Sequence, residues 1–414
     1  MRYPILLLAL LLLPGIAPGA DPVWTATGGS PVDISSDGAS VLTDGEIFGL
    51  YDAGGSSVWR GYGGSYAESR GEVYSPLAIT ADGMYSVLGA SQGLLYVDRK
   101  QQIFWQDTEL HPIDDLSLSP DENFVASVAQ GIISVYSRGG DILWRNDTYP
   151  DVRYVAISPR GILTVAGGKD TIHAFNQTGF ELWNYTSPGI HGVRLSLDSN
   201  IIAASEYTLL CLHPSGNLLW KFYTGDQIRD FAISRDGSSV AAGNQAGRLV
   251  LLDRNGKEVF SAQLGNWVNA VSVSGDGALI AAGNTDRKVY LFDRSGQQLF
   301  SYTTGSIVKD AAISSDGSAL AATADMVYYF DLASTSPAEI TPTGQPPVTP
   351  PPATTALPPA PATTPASAPV TEAIPEGLPP TEAPPEEPPT TEAGSVSLAV
   401  LALGIGAVWF VKRR

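Results

Sequence analysis

The sequence predicts an all-β protein whose residues 21–335 fold as a single eight-bladed β-propeller closed by its own N-terminal strand. Three observations predict it. First, a signature of the form apolar, Ser or Thr, any residue, Asp, Gly recurs along the chain. It reads ISSDG at 34–38, ITADG at 79–83, LSPDE at 118–122, ISPRG at 157–161, LSLDS at 195–199, ISRDG at 233–237, VSGDG at 273–277 and ISSDG at 313–317. Its fourth position advances by 45, 39, 39, 38, 38, 40 and 40 residues, a spacing typical of repeats that each supply one unit of a shared core. Second, each signature is followed by a small-apolar strand such as SSVAAGN, a strand such as RLVLLDR, and an apolar strand bearing an aromatic residue. With the strand that carries the signature, that makes four strands per repeat. Third, the aromatics after the signatures are seven, Trp59, Trp105, Trp144, Trp183, Trp220, Phe260 and Phe300, and the eighth, Trp24, precedes the first signature. The last repeat stops at Phe330 and Asp331 without its fourth strand. An N-terminal strand that completes the C-terminal unit closes a ring and removes the exposed edge of an open sheet. A linear solenoid needs no such exchange.

Within each signature the residue types follow from turn chemistry. Asp bonds the turn backbone and Gly supplies positive φ. The hydroxyl two residues before the Asp position is present in all eight copies, as Ser35, Thr80, Ser119, Ser158, Ser196, Ser234, Ser274 and Ser314, and the acidic residue is replaced only at Arg160.

The ends differ from the repeats. Residues 1–20 carry Arg2, an apolar run from Pro4 to Leu13 and small residues to Ala20, the order of a signal peptide. Cleavage after Gly19 or after Ala20 is compatible with it. Residues 336–392 are Pro, Thr, Ala and Glu, a composition that cannot build a core and reads as a stalk of up to roughly 170 Å. Residues 393–411 hold no charge and would span about 28 Å as a helix, close to a hydrocarbon core of about 30 Å. Lys412, Arg413 and Arg414 follow, so the expected topology is single-pass in the cell membrane, with the propeller outside and residues 412–414 in the cytoplasm.

Composition narrows the function. Of the formal charge of −18, −15 falls on residues 21–335, which argues against a nucleic-acid partner. One cysteine, Cys211, leaves no intrachain disulfide or CxxC pair, and His111, His173, His191 and His213 form no metal-binding spacing.

The repeats resemble the WD40-like and quinoprotein-alcohol-dehydrogenase-like propellers. Segments AFNQTGFELWNY (174–185), CLHPSGNLLWKF (211–222) and LFDRSGQQLF (291–300) are similar to the PQQ-like repeat with its terminal tryptophan. The layout as a whole resembles predicted surface proteins of methanogenic archaea. The quinoprotein resemblance implies PQQ and Ca²⁺ over the channel; in that reading Asp115, Asp230 and Asp310 are the hard-cation ligands available.

Counting back from each turn locates a candidate binding face where the first strands begin. Six residues back lie Asp115, Tyr154, Asp230 and Asp310, and seven back lie Asp114, Arg153, His191, Arg229, Asn269 and Lys309. The same residues also read as strand-end charges that pair with their neighbours. The 60–76 connection is longer than its counterparts and carries Tyr62, Tyr66 and Tyr74, rings suited to a contact surface, although an extended surface loop accounts for them as well. Trp267 is the one propeller tryptophan off the outer strand and is expected on that face. Sequons at Asn146, Asn176 and Asn184 mark candidate N-glycosylation sites in outer-strand regions. The expected role is a non-catalytic scaffold, without a cofactor, that binds an extracellular or envelope protein or glycan. The alternative is an enzyme, either of quinoprotein type or a hydrolase or lyase using His111, His191 and Asp114.

Overall fold

The computed structural model describes residues 21–332, apart from Glu46, 63–66 and 70–71. The expected leader, stalk, apolar segment 393–411 and basic tail lie outside the described residues, as does Tyr66. Among the described residues no helix is long and apolar enough to cross a membrane.

Each signature closes as a knot of side chain and backbone. Ser35 Oγ donates to Asp37 Oδ1 at 2.7 Å, which also accepts from the Ala39 N–H at 2.9 Å. Ser35 Oγ in turn accepts from the Ser40 N–H, and in seven of the eight copies the hydroxyl takes the N–H five residues ahead. All eight hydroxyl residues are buried, so these bonds satisfy donors that water cannot reach. The turn requires positive φ even where glycine is missing: Glu122 sits at 59° and Ser199 at 63°.

The knots terminate the first strands of eight four-stranded antiparallel sheets. Blade 6 is representative, with strands Ile228–Ile233, Ser239–Asn244, Arg248–Asp253 and Glu258–Gln263 in spatial order. Blade 8 takes three strands from the C-terminal end and its fourth, Trp24–Ala26, from the N-terminal end, with Trp24 opposite Tyr329. The first strands adjoin one another in cyclic order, and Asp310–Ile313 of blade 8 lies beside Val32–Ile34 of blade 1. The ring is therefore closed, as the displaced aromatic predicted.

The core is divided between the blades. Eight apolar clusters occur, one for each blade interface; the cluster between blades 6 and 7 joins Leu249, Leu251 and Phe260 to Val268, Ile280 and Phe292. The Ala and Gly residues of the second strands let neighbouring sheets approach, and Ser239–Asn244 is buried throughout.

Outer strands carry two recurrent devices. A β-bulge precedes the aromatic: Leu251 pairs with Phe260 and Leu252 with Glu258, leaving Val259 unpaired. The bulged residue points outward, so Phe104, Leu143, Leu182, Leu219 and Val259 form an exposed apolar belt on blades 2 to 6. The aromatic itself docks on the outer hairpin of the following blade. Trp24 lies against Gly55 of blade 1 so closely that an added Cβ would stand 2.6 Å from its ring, and its indole N–H donates to the Ala53 carbonyl at 3.0 Å. Trp105, Trp183 and Trp220 make the same bond to Arg138, Pro214 and Arg254.

Candidate functional site

All eight first strands begin on one face, the mouth face, and end in the Asp–Gly turns on the other, the turn face. They enclose a central channel of about 550 Å³.

Its wall is held by two tiers of side chains that reach from one blade to the next. In the tier six residues before the turn position, Asp115, Asp230 and Asp310 accept the backbone N–H of Val155, Val271 and Val32, at 3.0, 2.8 and 2.9 Å. Two residues further along, Asp33 accepts from Ile79 at 3.0 Å, Ser117 from Ile157 at 3.4 Å, and Ser272 from Ile313 at 3.0 Å. Asp33, Asp115 and Asp310 also each take their own following N–H on the second oxygen. The three aspartates singled out from the sequence thus have a clasping role that strand counting did not indicate. Asp33 was missed. Period-two alternation from the Asp115 position would have found it, because residues i and i+2 of a strand share a face.

Burial pushes the Asp33 carboxyl up to about 6, against the lowering effect of its backbone donors. For Asp310 burial is again the first cause, the charge of Asp230 adds to it, and the carboxyl reaches about 7.

The tier seven residues before the turn forms the rim. The Arg229 guanidinium lies 5.4 Å from the centre of the Trp267 ring, which joins blades 6 and 7 and leaves Trp267 46 % exposed, on the face the sequence assigned to it. His191 Nδ1 meets the Gly189 carbonyl at 3.2 Å, and Asn269 donates to the Val308 carbonyl at 3.1 Å. Tyr154, His191, Arg229, Asn269 and Lys309 line the channel with the clasping aspartates. Asp114 and Arg153 stand beside it: burial raises the Asp114 carboxyl while the Gln130 N–H and then Arg153 oppose the rise, and Arg153 donates to the carbonyls of Pro150 and Val152. Exposed Tyr207, Tyr223 and Ile307 complete the apolar part of the mouth face in blades 5 and 7–8.

At the turn face the channel narrows. Arg235 of blade 6 reaches across to the Pro120 carbonyl of blade 3 at 3.1 Å, and neighbouring turns bond backbone to backbone, as in Asp316 to Ser36 and Ser36 to Ala81. Arg194 lies within the wall, 5.4 Å from the Phe231 ring centre. The space is thus a cup with the Arg235 bridge across its turn-face end. Arg194 and Arg235 also escaped the strand counting, since they occupy the clasp tier and the turn.

Other candidates are placed apart from the cup. Tyr62 turns inward, edge-on to Trp59, with its hydroxyl on the Gln101 carbonyl of blade 2. The long connection that follows holds a short hairpin pairing Ala67–Ser69 with Glu72–Tyr74. Asn146 ends the outer strand of blade 3 and Asn184 lies exposed within that of blade 4, whereas Asn176 belongs to the turn leading into it, where its Oδ1 accepts from the Thr178 and Phe180 N–H groups.

A PQQ-associated Ca²⁺ needs several free oxygen ligands on one centre. The residues present do not fit it: both oxygens of Asp115 and Asp310 take backbone N–H groups, and among the described residues no group of three or more His, Cys, Asp or Glu converges as a metal site.

Residues 187–329, the span of the last four blades, match the model of a family of unknown function, DUF5711. No curated protein matches the chain. Among solved structures, Sqt1 of Chaetomium thermophilum, crystallised with the N-terminus of the ribosomal protein L10, superposes with a TM-score of 0.61 at 15 % identity, covering 75 % of this chain and 100 % of that one. The computationally designed protein Ika8 also gives 0.61, at 18 % identity and the same coverage. At these identities the likeness establishes the eight-bladed propeller fold alone.

Proposed function

We propose that the propeller is a non-catalytic scaffold that binds a protein partner through its mouth face while a stalk and membrane segment hold it at the cell surface. The observation that carries this reading is the cup, with exposed Trp267 against the lining residue Arg229 at its rim and exposed Ile307, Tyr207 and Tyr223 further out on the same face. Rigid exposed aromatics beside a concavity are the usual anchors of a protein contact. Both described chain ends lie at the opposite face. The strand Trp24–Ala26 runs from the turn face towards the mouth, and the Leu332 N–H bonds the Ser318 carbonyl next to the last Asp–Gly turn. A C-terminal tether would therefore leave the propeller from the face opposite the cup. Sqt1, of the same fold, carries a segment of a ribosomal protein, which supports the use of such a ring for holding polypeptide.

Cross-linking mass spectrometry on intact host cells tests the reading. Native protein should give a recurrent polypeptide partner linked near Lys309 or Lys288, and a Trp267→Ala, Tyr207→Ala variant should lose it. Links confined to the turn face, or unchanged in the variant, would refute it.

A further inference from the structure

The propeller region is strongly acidic, yet the channel lining gathers Arg194, Arg229, Arg235 and Lys309. Among the described residues no carboxylate forms an ion pair with Arg194, Arg235 or Lys309. Asp33, Asp115 and Asp310 direct both oxygens into the wall, towards backbone N–H groups. The Arg194 side chain makes one hydrogen bond, to the Val193 carbonyl, and Arg235 one, to Pro120. The Lys309 ammonium has no ion pair or hydrogen bond among the described residues, and all three side chains are exposed to the channel. A guanidinium offers five donors and no acceptor, so Arg194 and Arg235 present a surplus of donors to whatever enters.

We propose that the cup receives the acidic end of a partner polypeptide, with its carboxylates against Arg194, Arg235 and Lys309 and its apolar flank on Trp267 and Ile307. This rests on the protein-binding reading above and names the chemistry of the partner. A polypeptide suits the site better than a small anion because Trp267 and Ile307 stand at the mouth, where a molecule wholly inside the channel leaves them uncovered. From rim to turn the first strands run six residues, about 20 Å at roughly 3.3 Å each, the length of a similarly short extended peptide. The overall negative charge does not forbid entry, since exposed charges beyond about 8 Å are largely screened at physiological salt. The local donors then decide.

The test measures fluorescence anisotropy of the full chain with three labelled probes: hexaglutamate, hexaglutamate extended by Leu-Leu, and hexalysine. Saturable binding of hexaglutamate, tightened by the Leu-Leu extension and weakened at least tenfold in an Arg194→Gln, Arg235→Gln, Lys309→Gln variant that keeps its circular dichroism and Tm, is the expected result. Each single variant is measured as well, in case the triple one fails to fold. Equal binding by the variants, preference for hexalysine, or no hexaglutamate binding up to millimolar concentration would overturn the proposal. If hexaglutamate fails while a cellular partner is still captured and lost in the Trp267→Ala, Tyr207→Ala variant, the acidic-end proposal falls and the protein-binding reading stands. If hexaglutamate binds with the predicted sensitivity and no cellular partner appears, the protein-binding reading falls instead.

Discussion

Asp33 and Asp310 hold their neighbouring blades by accepting backbone N–H groups, yet burial lifts both carboxyls far above the ordinary value, to about 6 and about 7. A group whose folded pKa exceeds its unfolded one gives stability that is complete below the unfolded value, near 4, and is lost as pH rises through the folded value. The ring should therefore lose Tm between about pH 4 and 7 on account of these two groups. Asp236, Asp276 and Asp316 are shifted down and act oppositely, giving stability that is lost on acidification below about 4. A thermal-melt series should thus peak at mildly acid pH. In Asp310→Asn the decline from pH 5 to 8 should shrink, and an unchanged slope would show that Asp310 does not cause it. A second residue-scale prediction concerns Ser199, at φ 63° where most copies have glycine. Ser199→Gly relieves a left-handed conformation that costs an L-residue about 1–2 kcal/mol, against roughly 0.5–1 kcal/mol of added chain entropy. A gain of up to about 1.5 kcal/mol in urea unfolding is expected. At this scale the sequence located Asp115, Asp230 and Asp310 correctly along their strands by counting from the turn. Their partners were not legible, because they are N–H groups of the next blade, and the spacing between blades is set by packing.

The elements were legible because each repeat carries its own punctuation: hydroxyl, acid and glycine at the turn, then an aromatic at a fixed distance. What the repeats concealed was the use of that aromatic. Its register one residue beyond a bulge places it on the following blade's hairpin, and the bulge arises from strand twist and pairing that no single strand records. Trp24 carries most at this scale, since it stacks on Tyr329 with ring centres 5.0 Å apart in its own blade and bonds Ala53 in blade 1. Trp24→Ala should remove about 2–4 kcal/mol, rather less than a fully buried tryptophan, and should free the N-terminal strand. Limited proteolysis distinguishes ring opening from general weakening. Cleavage before Gly28 should accelerate in Trp24→Ala well beyond its acceleration in Trp105→Ala, and equal acceleration would deny the strand a special closing role.

At the scale of the whole molecule, ring closure by the N-terminal strand determines where both ends leave. Because the last repeat stops after its third strand, the chain departs at the turn face, and the cup faces the other way. A last repeat with all four strands of its own would have ended at the mouth face, beside the proposed partner site. The proposed anchor therefore makes a geometric demand on the propeller that can be measured. Cys211 is buried and its thiol is pushed up to about 12, so an introduced cysteine is the only one expected to react with maleimide. Ile307→Cys places a donor dye on the mouth face and Asn255→Cys places one on an outer turn of the opposite face. With the full chain in liposomes bearing an acceptor lipid, transfer should be stronger from position 255 than from 307, the faces lying about 20 Å apart by strand length. Equal or inverted transfer would place the mouth face towards the lipid, and the cup would then have to receive a partner in the same membrane.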